Sequence, residues 1–223
     1  MLVIEKFPFH DEIYDFDCGH TSLLSVAEYW TRKPVDRTCL FSLGEHVENR
    51  MQSTEHSGKK TIEEGLSPEG IIRCAKHFGL TGELINNSSF QNILYFLKQG
   101  VPVICGCVVQ VPNDEHYTDN IAIDPNGKRI NGQVLFDSKG RRLLADPKLA
   151  KKSEIRLFAT HYLVTIGYNQ KREEVIVSDP NRFDPYVHLP SKDFEWSRRI
   201  NPHISGLIIP LWPKGYELNK KPH

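Results

Sequence analysis

Tyr14-Asp15-Phe16-Asp17-Cys18-Gly19-His20-Thr21-Ser22-Leu23-Leu24 sets a cysteine where a polar, acidic loop gives way to an apolar-periodic run. Leu23, Leu24, Ala27 and Trp30 recur at helical spacing as one apolar stripe, so a helix starts at about Cys18. It stops at Thr31-Arg-Lys-Pro34, because proline cannot continue a helix. A thiol at a helix N-terminus faces unpaired backbone N–H groups and the positive end of the dipole, and both favour the thiolate. The same N–H groups suit a developing oxyanion. Cys18 is therefore a candidate nucleophile, with Asp17 and Gly19 as its immediate neighbours. Read alone, such a residue is more often a small buried core cysteine than a nucleophile.

Partners for such a thiol lie far downstream. Leu157–Tyr168 alternates as a strand and holds His161 near its start; Asn169–Glu173 reads as a turn, and Glu174–Ser178 as the next strand. Asp179-Pro180-Asn181 breaks that strand. Strands joined by a short turn pair antiparallel, so His161 and Asp179 stand at the outer ends of one hairpin. A small register offset or a bulge brings them close. The carboxylate then accepts from one imidazole nitrogen while the other faces the thiol. Each residue alone has a plainer reading: His161 as a satisfied core histidine, Asp179-Pro180 as turn chemistry. Together, in this chain order, they point to one site.

The remaining elements are helices first and antiparallel strands after, an α+β layout. Ser67-Pro-Glu69 opens a helix with Ile71, Ile72, Ala75 and Phe78 on its apolar face and Gly79 as its stop. Gly82–Ile85 reads as a short strand, Asn87-Ser88 as the start of a helix ending at Gly100, and Val101–Val109 as a buried strand. Residues 35–66 are mixed and polar, with a weak helical pattern around Leu40–Met51 and an exposed loop at Ser53–Lys60. Ser191–Ser197 reads as a short helix and Gly206–Leu211 as the last strand. Residues 111–156 are dense in turn signals around one or two short hairpins, and read as an insertion, a candidate lid or specificity loop. The expected organisation is one domain over residues 1–223 carrying that insertion.

Composition narrows the function class. Lys plus Arg (28) balance Asp plus Glu (28), so no global field favours nucleic acid or membrane as a partner. No apolar run approaches the ~20 residues that span a bilayer. Met1-Leu-Val-Ile-Glu-Lys-Phe-Pro8 has no basic region followed by an apolar stretch, so a cytoplasmic location, or export without a classical signal, is expected. The cysteines (Cys18, Cys39, Cys74, Cys105, Cys107) are odd in number and contain no C-x-x-C pair, which fits a reducing compartment. Cys105 and Cys107 share one face of an apolar strand and read as two small buried residues. Cys18, His20, His161 and Asp179 do not follow a usual zinc spacing; no metal and no cofactor are expected. The acidic cluster Asp11–Asp17 reads as a solvated loop, with a subsite for a cationic substrate as the alternative.

Asp17-Cys18-Gly19 opening a helix, His161-Tyr162-Leu163-Val164 ahead of Gly167-Tyr168, and Asp179-Pro180 ending the next strand together resemble the papain-like peptidases that remove double-glycine leader peptides from bacteriocins, and their stand-alone relatives. The helix ending His77-Phe-Gly-Leu80, the helix over 88–99 and Gly100-Val-Pro-Val-Ile104 extend the likeness over most of residues 8–212, outside 111–156. The resemblance implies a papain-like fold and a cysteine hydrolase that cleaves an amide or peptide bond through a thioester, with a Cys18–His161–Asp179 triad. It implies a peptide, protein or small amide as substrate; the aromatic residues Tyr14, Phe16, Tyr117, Tyr162 and Trp196 read as core or cleft wall, with Tyr14 and Tyr162 the candidate cleft residues. The family places a glutamine six residues before the cysteine, where its amide donates to the oxyanion; here that position is Glu12. Glu12 thus raises two other readings: acyl transfer or deamidation by the same triad, or an inactive relative that binds peptide or a partner.

Overall fold

A computed structural model of the chain describes residues 1–13, 17–48, 65–111, 121–123, 134–136, 142–144, 156–182, 184–201 and 204–219. Along them run β1 (Leu2–Val3), α1 (Cys18–Thr31), α2 (Arg37–Glu48), α3 (Pro68–His77), β2 (Leu80–Gly82), α4 (Phe90–Leu97) and β3 (Val103–Val111). Then come β4 (Ile121–Ile123), β5 (Val134–Phe136), β6 (Arg142–Leu144), β7 (Arg156–Asn169), β8 (Glu174–Ser178), β9 (Val187–Pro190), α5 (Ser191–Arg199) and β10 (Ile208–Pro213). This is the expected α+β layout of helices followed by an antiparallel sheet. Ser53–Lys60, Tyr14, Phe16 and Tyr117 lie outside the described residues.

The long strand β7 organises the sheet. Its apolar run pairs with the apolar run of β3 from Val103↔Thr165 to Val111↔Leu157, and the strand order is β2-β10-β3-β7-β8-β9, with β1 and β4 also on β7. Gly167 admits β1: a Cβ there would stand 2.7 Å from the Leu2 carbonyl oxygen. Within the stretch read as an insertion, β4 joins the main sheet through Ile121↔Phe158, and β5 and β6 pair with each other as a separate hairpin.

Helix α1 packs against β7 on one side and against α2 and α3 on the other. Every residue from Cys18 to Ala27 is buried, as is Tyr29. One apolar stripe was the expectation, so half of this burial was hidden in the sequence. The other faces carry small hydroxyl residues that lose water without losing partners. Thr21 Oγ1 donates to Asp17 Oδ1 (3.2 Å), Ser22 Oγ to the Tyr162 carbonyl (3.3 Å) and Ser25 Oγ to the Thr21 carbonyl (3.2 Å). Leu23, Leu24, Val26 and Ala27 join Ile71, Ala75, Phe96, Ile104 and Ile166 in one apolar core.

Local chemistry explains the helix ends. Ser67 Oγ accepts from the Gly70 N–H at 3.0 Å with Pro68 at the first helical position, as the sequence indicated. Helix α4 departs from expectation by beginning after Ser89, not at Asn87-Ser88. Asn87 adopts φ +53°, and Ser88 Oγ is committed to the Gly206 carbonyl (2.6 Å) and to Arg198 Nη2 (2.6 Å), so Ser89 and Asn92 close the helix start. The strand expected at Gly82–Ile85 forms instead at Leu80–Gly82. Pro210 stands opposite Glu83 and has no N–H to donate, so the ladder lapses there. It resumes only as the Ile85↔Ile208 bridge.

Candidate active site

Cys18 is the first residue of α1 and is 9% exposed. The side chain of Asp17 just before it does not cap the helix. It turns back to accept from the Ile13 N–H and from Thr21 Oγ1, each at 3.2 Å. The N–H groups at the helix start are thereby left for other acceptors. The Cys18 N–H helps to draw the nearby Glu12 carboxyl down against its burial. Gly19 keeps the turn close to its surroundings: a Cβ there would meet Leu66 and Tyr162 at 3.4 Å and Ile71 at 3.6 Å.

His161 comes from β7, directly across from Cys107 of β3, and is 2% exposed. Its Nε2 lies 2.8 Å from Asp179 Oδ1. The same carboxylate oxygen accepts the Asn181 N–H at 3.0 Å, a local turn bond that fixes the carboxyl plane. With Nε2 committed to Asp179, Nδ1 is the nitrogen left for the thiol. Asn181 Nδ2 stands 3.4 Å from it.

A bulge decides whether these two residues meet. The β7–β8 register shifts between Thr165 and Gly167, from Gly167↔Ile176 to Thr165↔Val177 and Val164↔Ser178. Continued outward, the shifted register places Asp179 opposite Leu163, two residues from His161 and on the same side of the sheet. Without the extra residue Asp179 would stand opposite Val164 and face the other way, since a one-residue slip inverts every side chain.

The electrostatics follow from this burial and pairing. Burial alone pulls the His161 imidazole down, but hydrogen bonds to Asp179 and to Cys18, together with their negative charge, hold it well above the ordinary histidine range. Burial pushes Asp179 up, and is outweighed by the hydrogen bond and charge of His161, then by the Asn181 N–H and Arg182, so its carboxyl sits below the usual range. An imidazolium held between a carboxylate and a thiol is the arrangement a thiolate nucleophile needs. Cys107 behind the histidine is different: burial, with Asp179 and two neighbouring thiols, pushes its thiol well up. Burial also raises Cys105, which lies 3.2 Å from Thr165 Oγ1. Neither suits nucleophilic work. Among the described residues no group of three or more His, Cys, Asp or Glu side chains is arranged to hold a metal ion.

Glu12 approaches from the segment before α1. Its N–H donates to the Pro180 carbonyl at 2.9 Å, and on either side Arg37 Nη2 holds the Asp11 carbonyl (2.7 Å) and Asp17 holds the Ile13 N–H. Burial raises its carboxyl to about 7; His161 and the Cys18 N–H oppose that shift, while Asp17 and Asp179 add to it.

The structure thus brings Cys18, His161, Asp179, Glu12, Asp17 and Gly19 together. Tyr162, expected on a cleft wall, lies against the start of α1. It is 7% exposed, its ring packs beneath Gly19, and its carbonyl receives Ser22, so it supports the helix start. Asn181 and the Pro180 carbonyl were not singled out from the sequence; the Asp179-Pro180-Asn181 turn was their only signal.

Comparison with known proteins bears on the family and the fold. Among curated proteins none matches the chain in sequence. Of solved structures, a protein described as a C39-like peptidase from Bacillus anthracis superposes with a TM-score of 0.54 at 17% identity, covering 94% of this chain and 96% of that one. The peptidase domain of Streptococcus ComA, a bifunctional ABC transporter of a quorum-sensing pathway, gives a TM-score of 0.47 at 18% identity, covering 93% and 98%. A double-glycine-motif protease from an AMS/PCAT transporter, solved with its leader peptide, gives 0.46 at 13% identity, covering 92% and 91%. The family model for Peptidase_C39 like proteins matches residues 9–196. With helix start, histidine strand and following acid all inside that span, the chain belongs to the Peptidase_C39 like family of cysteine peptidases.

Proposed function

We propose that the protein cleaves peptide or amide bonds with Cys18 as nucleophile, His161 as general base and acid, and Asp179 as the residue that orients the imidazole. The observation that carries this reading is His161 Nε2 held 2.8 Å from Asp179 Oδ1, with the Cys18 thiol at the start of α1 near enough to help raise the imidazole. The thiol proton passes to His161, and the sulfur attacks the carbonyl carbon to give a tetrahedral oxyanion. As the C–N bond breaks, His161 returns the proton to the leaving amine. Water then adds to the thioester with His161 taking its proton, and the acid leaves as the thiol re-forms. Asp179 holds Nε2–H throughout, so that Nδ1 does the proton transfer.

The same reading treats residues 1–223 as one catalytic domain, with 111–156 as an insertion that shapes the entrance; its strand β4 on β7 supports that view. The test is to incubate the protein with a cell extract, quench in acid and search for an acyl adduct by mass. An adduct on Cys18, absent in Cys18→Ala with the fold retained by circular dichroism, is the expected result. An adduct that persists in Cys18→Ala overturns the assignment.

A further inference from the structure

The reacting nitrogen of His161 is approached by a second side chain besides the thiol. Asn181 Nδ2 stands 3.4 Å from Nδ1. An amide nitrogen only donates, so this contact belongs to a neutral ring, with a lone pair on Nδ1 and the ring proton on Nε2 toward Asp179 Oδ1 at 2.8 Å. The side chain of Asn181 lies on the surface, but its backbone is fixed. The Asn181 N–H donates to Asp179 Oδ1 (3.0 Å), the Arg182 N–H to the Asp179 carbonyl (3.0 Å), and the Pro180 carbonyl accepts from the Glu12 N–H (2.9 Å). The turn thus delivers the amide to one spot, leaving only its own two torsions to settle.

Resting on the proposed cysteine chemistry, we infer that Asn181 is a positioning residue for deacylation: once Cys18 is acylated, its amide donates to His161 Nδ1 and keeps the neutral ring aimed at the incoming water. In the free protein the sulfur itself can hold Nδ1, through its proton or its charge. After acylation that proton has left with the amine, and a sulfur bonded to an acyl carbon has none to give. Asp179 still holds Nε2, but a ring held at one nitrogen rocks about its Cβ–Cγ bond. A second bond, at Nδ1, stops it. As water adds to the thioester carbonyl, its O–H proton passes to Nδ1 and the amide moves aside; the C–S bond then breaks and the proton goes to the sulfur. A long bond from an exposed amide yields easily, as a bond on the reacting nitrogen must.

The groups around the ring fix the sign of a measurable effect. His161 is faced by Cys18 from α1, by Glu12 from the segment before it, by Cys107 across on β3 and by Asp179 from the turn after β8, with Arg182 Nε 3.9 Å from Asp179 Oδ2. The carboxylates and a Cys18 thiolate favour a charged ring; Arg182 opposes it, and Cys107 keeps its proton. Asn181 carries no charge and favours the neutral ring, because a protonated Nδ1 offers its N–H nothing to bond. Removing the amide therefore raises the titration of the imidazole. Blocking the sulfur takes the thiolate out of that measurement and imitates the acylated state.

The experiment acetylates Cys18 with 4-nitrophenyl acetate in the wild type and in Asn181→Ala, removes the ester and follows loss of the acetyl group by mass. Loss is expected to be about threefold to tenfold slower in Asn181→Ala, while alkylation of its free thiol by iodoacetamide, which activates no water, is no slower than in the wild type. With Cys18 blocked by methyl methanethiosulfonate, the NMR titration of His161 is expected to lie about half to one pH unit higher in Asn181→Ala, the same factor in proton affinity. Equal rates of acetyl loss overturn the proposal. So does an unmoved titration, which means that the amide turns its oxygen to the imidazolium and serves both forms. Acetyl loss and alkylation slowed alike mark a damaged turn and overturn it as well. All three leave the cysteine chemistry standing, whereas wild-type Cys18 alkylated no faster than the exposed Cys39 overturns both. If Asn181→Ala does not fold, Asn181→Leu, which keeps the size and loses the donor, decides by the same measurements.

Discussion

The segment before α1 and the turn after β8 each deliver one carboxyl to the same thiol–imidazole pair, and the two are driven in opposite directions. Asp179 has a hydrogen-bonded imidazole on one oxygen, a backbone N–H on that same oxygen and a guanidinium farther off; it is held ionised. Glu12 is pushed up by burial, opposed by His161 and the Cys18 N–H and helped by Asp17 and Asp179, and is held up to about 7. The residue types are nearly the same, and the Glu12 N–H is bonded to the carbonyl of Pro180, the residue after Asp179. What drives one down and the other up is the company each keeps.

The largest break in this comparison is removal of the imidazole both carboxyls address. His161→Ala is expected to lower turnover by on the order of 10⁴–10⁶, measured as single-turnover acylation, because nucleophile and base act as a unit. Asp179→Asn keeps the shape and the turn bond but not the charge, and is expected to cost on the order of 10⁴ in kcat with little change in KM. Stability sharpens the contrast with smaller effects. Asp179 is lowered from 3.8 and His161 raised from 6.5, so their mutual stabilisation is full between those values. It is lost as pH falls through the depressed carboxyl or rises through the raised imidazole. Asp179→Asn is therefore expected to lower Tm most at pH 4–6.5 and progressively less outside that window. Glu12 is raised from 4.5 to about 7, so the wild type loses stability as pH climbs across that interval. Glu12→Gln is expected to gain a few degrees in Tm above pH 7, with the gain vanishing below pH 4.5. Thermal melts of the two variants across pH 3–9 check both, and curves of the same sense would dissolve the distinction drawn here.

Much of this was legible before any coordinates. Cys18 at a helix start, His161 on one strand and Asp179 at the end of the next are local patterns, and α3 carries its own punctuation in Ser67, Pro68 and Gly79. The unreadable parts depend on partners distant in the chain. Thr21, Ser22 and Ser25 look like a solvent face until their hydroxyls are seen to end on Asp17 and on carbonyls of Tyr162 and Thr21. Ser88 and Ser89 compete for one helix cap, and only the return of Arg198 and Gly206 from the far end of the chain decides between them. Arg198 itself is fully buried, held by Glu195 and Ser88, a charge that helical periodicity puts in water. Strand β9, pairing with β8 through Val177↔Val187, went unread because its burial is only partial. Glu12 was legible as a departure from a pattern; the tie of its N–H to the Pro180 carbonyl was not.

The bulge between Thr165 and Gly167 divides the β7–β8 hairpin into two unequal territories. Everything from the bulge to the open end is keyed to the chemistry, because the facing of Asp179 depends on that surplus residue. Everything from the bulge to the tip serves the sheet instead, where Gly167 admits β1 and Val175 and Ile176 enter the core. The exposed tip at Gln170–Glu173 is thus the natural place to lengthen the protein with a tag or a reporter, at no cost to the reacting groups. A single deletion at Ile166, four residues from the same tip, would leave the strands paired and turn the acid away from its imidazole.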